Sequence, residues 1–187
     1  MIQNGIHNIL KNNPIIPVAT INNASDLENQ LMKIQSAGIK CIEVTLRTDF
    51  ALEALRILKS QNIPDFSVGV GTVIHPDQIN KVKDIGVDFI VSPGLTPKLA
   101  QHLKQSGIAF IPGVSTVSDI MKGLEEGFSF FKFFPANLFG GINALKTYGQ
   151  LFPQVTFCPT GGISEQTFKD YLEEPNIISV GGSWMLK

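Results

Sequence analysis

Phe130-Phe131-Lys132-Phe133-Phe134-Pro135 sets a single amine inside an aromatic run. A short apolar run of this kind reads as a buried strand of a parallel sheet. Burial disfavours the charged form of an amine. A neutral amine is a nucleophile, and its usual target is a carbonyl carbon. The bland alternative is that Lys132 snorkels to the surface or pairs with a carboxylate. The choice rests on the rest of the chain.

On both sides of this run, strand-like and helix-like segments alternate. Strands are expected over residues 15–21, 41–47, 67–73, 89–92, 110–111, 130–134, 155–159 and 177–180. Helices are expected over residues 25–37, 49–61, 76–85, 97–106, 118–126, 141–151 and 165–173, with a further one over 2–11 ahead of the first strand. Gly38, Gly86, Gly107 and Gly127 stop helices just before the next apolar run. The unit length is about 20–25 residues, as βα repeats require. Eight such strands predict a closed (β/α)8 TIM barrel, with an open doubly wound sheet as runner-up. Residues 1–187 read as one domain. Only three residues follow Trp184, so the C-terminal helix is expected to be missing or shortened. The N-terminal helix or a neighbouring subunit then covers that part of the barrel.

The 187 residues are 43% hydrophobic and 17% charged, a globular composition. Fifteen basic residues stand against sixteen acidic ones, with no basic block, so nucleic acid is not an expected partner. An anionic substrate would have to be met locally, by backbone amides or a single Arg. Residues 1–13 are too polar for a secretory signal. No apolar run approaches ~20 residues, so no membrane-spanning helix is expected. Cys41 and Cys158 read as reduced, buried thiols of a cytoplasmic protein, with a disulfide left open. His7, His75 and His102 form no ligand-spaced cluster, so no metal site is expected.

In a barrel the helices cover the outer face of each strand, and polar side chains must point inward. Applied to Cys41-Ile42-Glu43-Val44-Thr45-Leu46-Arg47, the period of two sends Glu43, Thr45 and Arg47 to the interior. One reading of Glu43 and Arg47 is a structural ion pair. The other is a proton shuttle beside a carboxylate anchor. The same parity puts Phe130, Lys132 and Phe134 on the inner face. Thr156, Cys158 and Thr160 share a face, with Thr160 nearest the mouth. Thr72 ends the third strand, either as a substrate contact or as a helix-cap or turn threonine. Gly161-Gly162 and Gly181-Gly182-Ser183 follow the last two strands, where barrels often bind phosphate through backbone amides. The expected ligand is a small phosphorylated molecule carrying a carbonyl.

Six motifs in order give the chain a family resemblance from Ile15 to Met185. They are Glu43-Val44-Thr45-Leu46-Arg47, Gly71-Thr72-Val73, Ser92-Pro93-Gly94-Leu95-Thr96, Lys132-Phe133-Phe134-Pro135-Ala136, Pro159-Thr160-Gly161-Gly162-Ile163 and Gly181-Gly182-Ser183-Trp184-Met185. With them the chain resembles the 2-keto-3-deoxy-6-phosphogluconate (KDPG) aldolase or 4-hydroxy-2-oxoglutarate aldolase family. The resemblance implies a class I aldolase, a lyase that needs no metal or cofactor and works through a covalent Schiff base on Lys132. It implies Glu43 as general acid/base, with Arg47 and Thr72 on the pyruvate carboxylate. Thr160 becomes a hydroxyl donor, and Pro93 and Phe134 become pocket walls. Gly161, Gly162, Gly182 and Ser183 become the phosphate cradle. A homotrimer acting on a phosphorylated 2-keto acid is implied as well. Asn137 stands where many relatives have Glu, and Thr20 where some have Arg. The alternatives are an aldolase preferring 4-hydroxy-2-oxoglutarate and a non-catalytic phosphosugar-binding barrel.

Overall fold

Polar caps start, and left-handed glycines stop, four of the helices that alternate with the strands. The computed structural model describes residues 3–187, without the side chain of Asn4. The strands are β1 (Ile15–Ala19), β2 (Cys41–Thr45), β3 (Ser67–Gly71), β4 (Phe89–Val91), β5 (Ala109–Ile111), β6 (Gly113–Val114), β7 (Phe130–Phe133), β8 (Thr156–Pro159) and β9 (Val180–Gly182). The helices are α1 (Asn4–Asn12), α2 (Ala24–Ser36), α3 (Ala51–Ser60), α4 (Pro76–Lys83), α5 (Pro97–Ser106), α6 (Val117–Glu125), α7 (Gly141–Leu151) and α8 (Phe168–Leu172). The Asn23, His75, Thr96 and Thr116 side chains cap α2, α4, α5 and α6 by accepting from first-turn amides. Gly38, Gly86, Gly107 and Gly127 take φ between 70° and 82°, the conformation that ends a helix cheaply only at glycine. Ile2, where the first helix was expected to start, lies outside the described residues.

The expectation of a closed (β/α)8 TIM barrel is corrected by the strand pairing. The strands form two parallel sheets, one of six in the order β5-β4-β3-β2-β1-β9 and one of three in the order β6-β7-β8. The arrangement is α/β and barrel-like, but not one closed eight-stranded ring. The expected fifth strand is broken at Pro112, which has no N–H to donate. On one side of the break β5 pairs with β4, and on the other β6 pairs with β7. The opposite seam is also loose. β8 meets the last strand segment only at the single bridges Phe157↔Ile177 and Thr160↔Gly181. Sequence neighbours are sheet neighbours from β1 to β5, so the order does not reverse as in a doubly wound sheet. A 3-10 turn, Trp184–Leu186, follows β9.

Two apolar cores lie on opposite faces of the strands. Ile42, Val44, Phe131, Phe133 and Phe157 pack outward against α-helical residues such as Leu27, Leu55 and Leu145. Ile16, Cys41, Phe89, Val91, Ile111 and Cys158 form the inner core, and α1 adds Ile6 and Leu10 to it. Helix α1 therefore plugs the interior near the N-terminal ends of the strands. Gln3 reinforces the Pro112 seam there. Its Oε1 accepts from the Ser129 and Phe130 amides at 2.9 and 3.1 Å. Its Nε2 donates to the Phe130 carbonyl at 3.0 Å and to the Phe110 carbonyl at 3.4 Å. One side chain thus ties the start of β7 to β5 where a ladder is missing.

Candidate active site

The alternation in β2 and β7 sends two charged side chains to the same interior. Ile42 and Val44 enter the outer core, so Glu43 points the other way. Phe131 and Phe133 do the same for Lys132. The Lys132 Nζ lies 3.2 Å from Glu43 Oε1 and 3.4 Å from Oε2. Their side chains are 7% and 3% exposed, which excludes a snorkelling lysine. A buried pair of this kind gains Coulomb energy but pays desolvation for both ions. The Nζ also stands 5.3 Å from the Phe134 ring centroid, a cation–π distance.

Threonine hydroxyls and a thiol also border the pair. Thr45 donates to the Ala19 carbonyl at 2.9 Å, and its oxygen lies 3.1 Å from the Thr20 hydroxyl. Cys158 is the register partner of Lys132 on β8. Burial pushes its thiol up to about 11, so it stays a neutral neighbour of the amine. Burial, and after it the nearby Cys158 and Glu43, pushes the Cys41 thiol up as well. Both cysteines are free.

Other expected site residues collect at the C-terminal ends of the strands. Strand β2 ends at Thr45, and Arg47 sits in the following turn, exposed. The expected inward strand position of Arg47 is thus corrected. Among the described residues it pairs with no carboxylate, so the structural Glu43–Arg47 bridge is not formed. Thr72 follows β3 with a φ of 60°. A β-branched residue in that region is strained, and such strain clusters at functional sites. His75, not Thr72, caps the next helix. Pro93 follows β4 and lines a cavity of about 350 Å³ with Val73, Thr96, Gly113 and Ser115. Phe134 follows β7 and is half-buried.

The β7 and β8 ends are fastened together. Thr160 N–H donates to the Phe133 carbonyl at 2.9 Å, and its own carbonyl accepts from Ala136 N–H at 2.9 Å. The next two residues, Gly161 and Gly162, have φ of 101° and 72°. Among the described residues, the Gly161, Gly162 and Ser183 amides have no backbone acceptor. At Gly182 a Cβ would fall 2.0 Å from the Trp184 ring. Trp184 itself stacks on Phe168, with centroids 5.6 Å apart.

Size does not pick out this end. A larger concavity, about 1040 Å³, lies at the other end, beside α1 and the turns that enter β1, β2 and β3. Its lining carboxylate Asp88 pairs with Lys59 at 2.9 Å, but those side chains are 35% and 28% exposed, unlike the buried Lys132 and Glu43, and chemistry decides between the two. Among the described residues, no three His, Cys, Asp or Glu side chains gather at metal-binding spacing. Among them no helix is long and apolar enough to cross a membrane. Sequence reasoning passes over Gln3, and Gly71 enters it within a motif but with no role. The signal for Gly71 was the spacing Gly69-Val70-Gly71, which leaves two empty positions on one face of β3.

The Lys132–Glu43 contact is the carboxylate pairing of the bland reading, and a buried amine beside a carboxylate inside a parallel α/β scaffold is also what an enzyme of the Schiff-base class requires. The KDPG and KHG aldolase family model matches residues 6–187. The chain belongs to that family. It is 42% identical to the 2-dehydro-3-deoxy-phosphogluconate aldolase of Dickeya dadantii, over 95% of this chain and 83% of that protein. It is 40% identical to the KHG/KDPG aldolase of Escherichia coli K12, over 95% of this chain and 83% of that one. The KDPG aldolase of Legionella pneumophila, with pyruvate captured at low pH as a covalent carbinolamine intermediate, superposes with a TM-score of 0.91. It is 44% identical, covering 95% of this chain and 86% of that chain.

Proposed function

We propose that this chain is a class I aldolase that cleaves KDPG to pyruvate and glyceraldehyde 3-phosphate. The observation that carries the reading is the buried Lys132–Glu43 contact of 3.2 Å. Lys132, once neutral, adds to the C2 ketone, and loss of water gives an iminium. That cation accepts the electrons of the breaking C3–C4 bond. Glu43 takes the C4 hydroxyl proton as the aldehyde leaves, directly or through a water. The enamine is then protonated at C3, and hydrolysis of the iminium frees pyruvate and restores the amine.

The remaining residues take binding roles. Arg47 and Thr72 hold the pyruvate carboxylate, and Pro93 and Phe134 wall the pocket. Thr160 hydrogen-bonds the substrate. Gly161, Gly162, Gly182 and Ser183 cradle the phosphate, a role supported by the left-handed glycines and the amides without backbone acceptors. Residues 1–187 work as one domain in a cytoplasmic homotrimer. A second reading, cleavage of 4-hydroxy-2-oxoglutarate, is favoured by the double name of the E. coli relative.

Incubation with pyruvate followed by borohydride should add the mass of a reduced pyruvyl group to Lys132. Absence of that adduct would refute the Schiff base. Comparing kcat/KM on KDPG and 4-hydroxy-2-oxoglutarate separates the two substrates. Equal values would remove the phosphate cradle from the account.

A further inference from the structure

We infer that Gly71 is a positioning residue, whose missing side chain is the space the Glu43 carboxylate needs to reach Lys132. The inference rests on the role proposed above for Glu43. Gly71 ends β3 and pairs with Thr45 on β2. A Cβ built there would lie 1.9 Å from Glu43 Oε1, 2.7 Å from its Cδ and 2.8 Å from its Cγ. All three nearest atoms belong to this one side chain. Gly71 is not at positive φ, so the backbone does not require glycine. What requires it is the carboxylate. With a methyl group in place, Glu43 must turn away, and its contacts with Lys132 Nζ at 3.2 and 3.4 Å open.

The same strand holds its own control. Two residues back, Gly69 also leaves room on the inner face, but for the Phe89 ring, which would lie 2.2 Å from a Cβ. Gly69 serves the apolar core and Gly71 serves the chemistry. A methyl at either position overpacks the interior. Only the one at 71 should alter proton transfer.

The test compares Gly71→Ala, Gly69→Ala and Glu43→Gln by melting temperature, kcat, KM and pH profile on KDPG. Glu43→Gln should lower kcat by about 10²–10⁴-fold, the range of general acid–base catalysis. Gly71→Ala should lower kcat by at least about tenfold with little change in KM, and shift the pH profile. Gly69→Ala should lower the melting temperature and leave the pH profile alone. Wild-type kcat and pH profile in folded Gly71→Ala would overturn the inference. Wild-type turnover in Glu43→Gln would instead overturn the role of Glu43. Should Gly71→Ala fail to fold, the double variant Glu43→Ala/Gly71→Ala decides. With no carboxylate to displace, it should melt within a few degrees of Glu43→Ala alone. A double variant that stays unfolded would show that the methyl clashes elsewhere, and would end the proposal.

Discussion

At the N-terminal ends of the strands the interior is filled by Ile6, Leu10, Cys41 and Phe89. From mid-strand to the C-terminal ends it holds Glu43, Thr45, Lys132 and Thr160, all buried and all polar. The same pleat, read from opposite ends, gives two environments. The plugged end gains about 25 cal/mol for each Å² of apolar surface taken from water. The open end sacrifices some of that gain to hold two charges out of water. Barrel-like α/β proteins commonly divide labour this way, with stability at one end and catalysis at the other. At the plugged end Gln3 bridges the seam at Pro112.

The sharpest way to break this comparison is at Lys132. Lys132→Arg should cut turnover by about 10⁴-fold or more and abolish the pyruvate adduct, because a guanidinium does not deprotonate to attack. Its melting temperature should stay close to wild type. Unfolding of this variant would make Lys132 a structural residue like those at the plugged end. Next in size is Leu10→Ala, 1% exposed in the inner core. It should cost about 2–5 kcal/mol in denaturant titration. Its kcat per folded molecule should be unchanged. A fall in kcat there would couple the two ends and sink the division between them.

Gln3→Ala should cost less, about 1–3 kcal/mol, since it strands the Ser129 and Phe130 amides without their acceptor. Hydrogen exchange should quicken at those two amides first. Exchange rates equal to wild type would mean that the seam closes without Gln3. The smallest effect lies outside both ends, at the start of α2. The Asn22 amide, helped by the Gln30 and Asn22 side chains, holds the Asp26 carboxyl below its ordinary value. A depressed carboxyl stabilises the fold above its unfolded pKa of about 3.9, and that support is lost as pH falls through the folded pKa. Asp26→Asn should therefore slightly flatten the acid limb of stability against pH. An unchanged limb would show that the cap carries no pH dependence.

Much of the site could be read before any coordinates. The inward direction of Glu43 and Lys132 follows from a side-chain period of two and from apolar neighbours that can only face helices. Their contact spans 89 residues of sequence, yet parity alone put both side chains in one interior. Arg47 escaped the same argument because β2 ends at Thr45 and the period does not continue into a turn. The strain at Thr72 also escaped it, since no residue pattern reports a φ of 60°.

Residue order and type were thus enough for the alternation of elements, the direction of the two reactive side chains and the glycine turns, because these depend on local periodicity and local backbone freedom. Whether the strands close into one ring was beyond that reach. Closure depends on hydrogen bonds between strands far apart in sequence. A single proline at position 112 and two isolated bridges at the opposite seam decided it. The room for Glu43 above Gly71 belongs to the same kind of fact, since an empty position acquires meaning only from the neighbour folded against it.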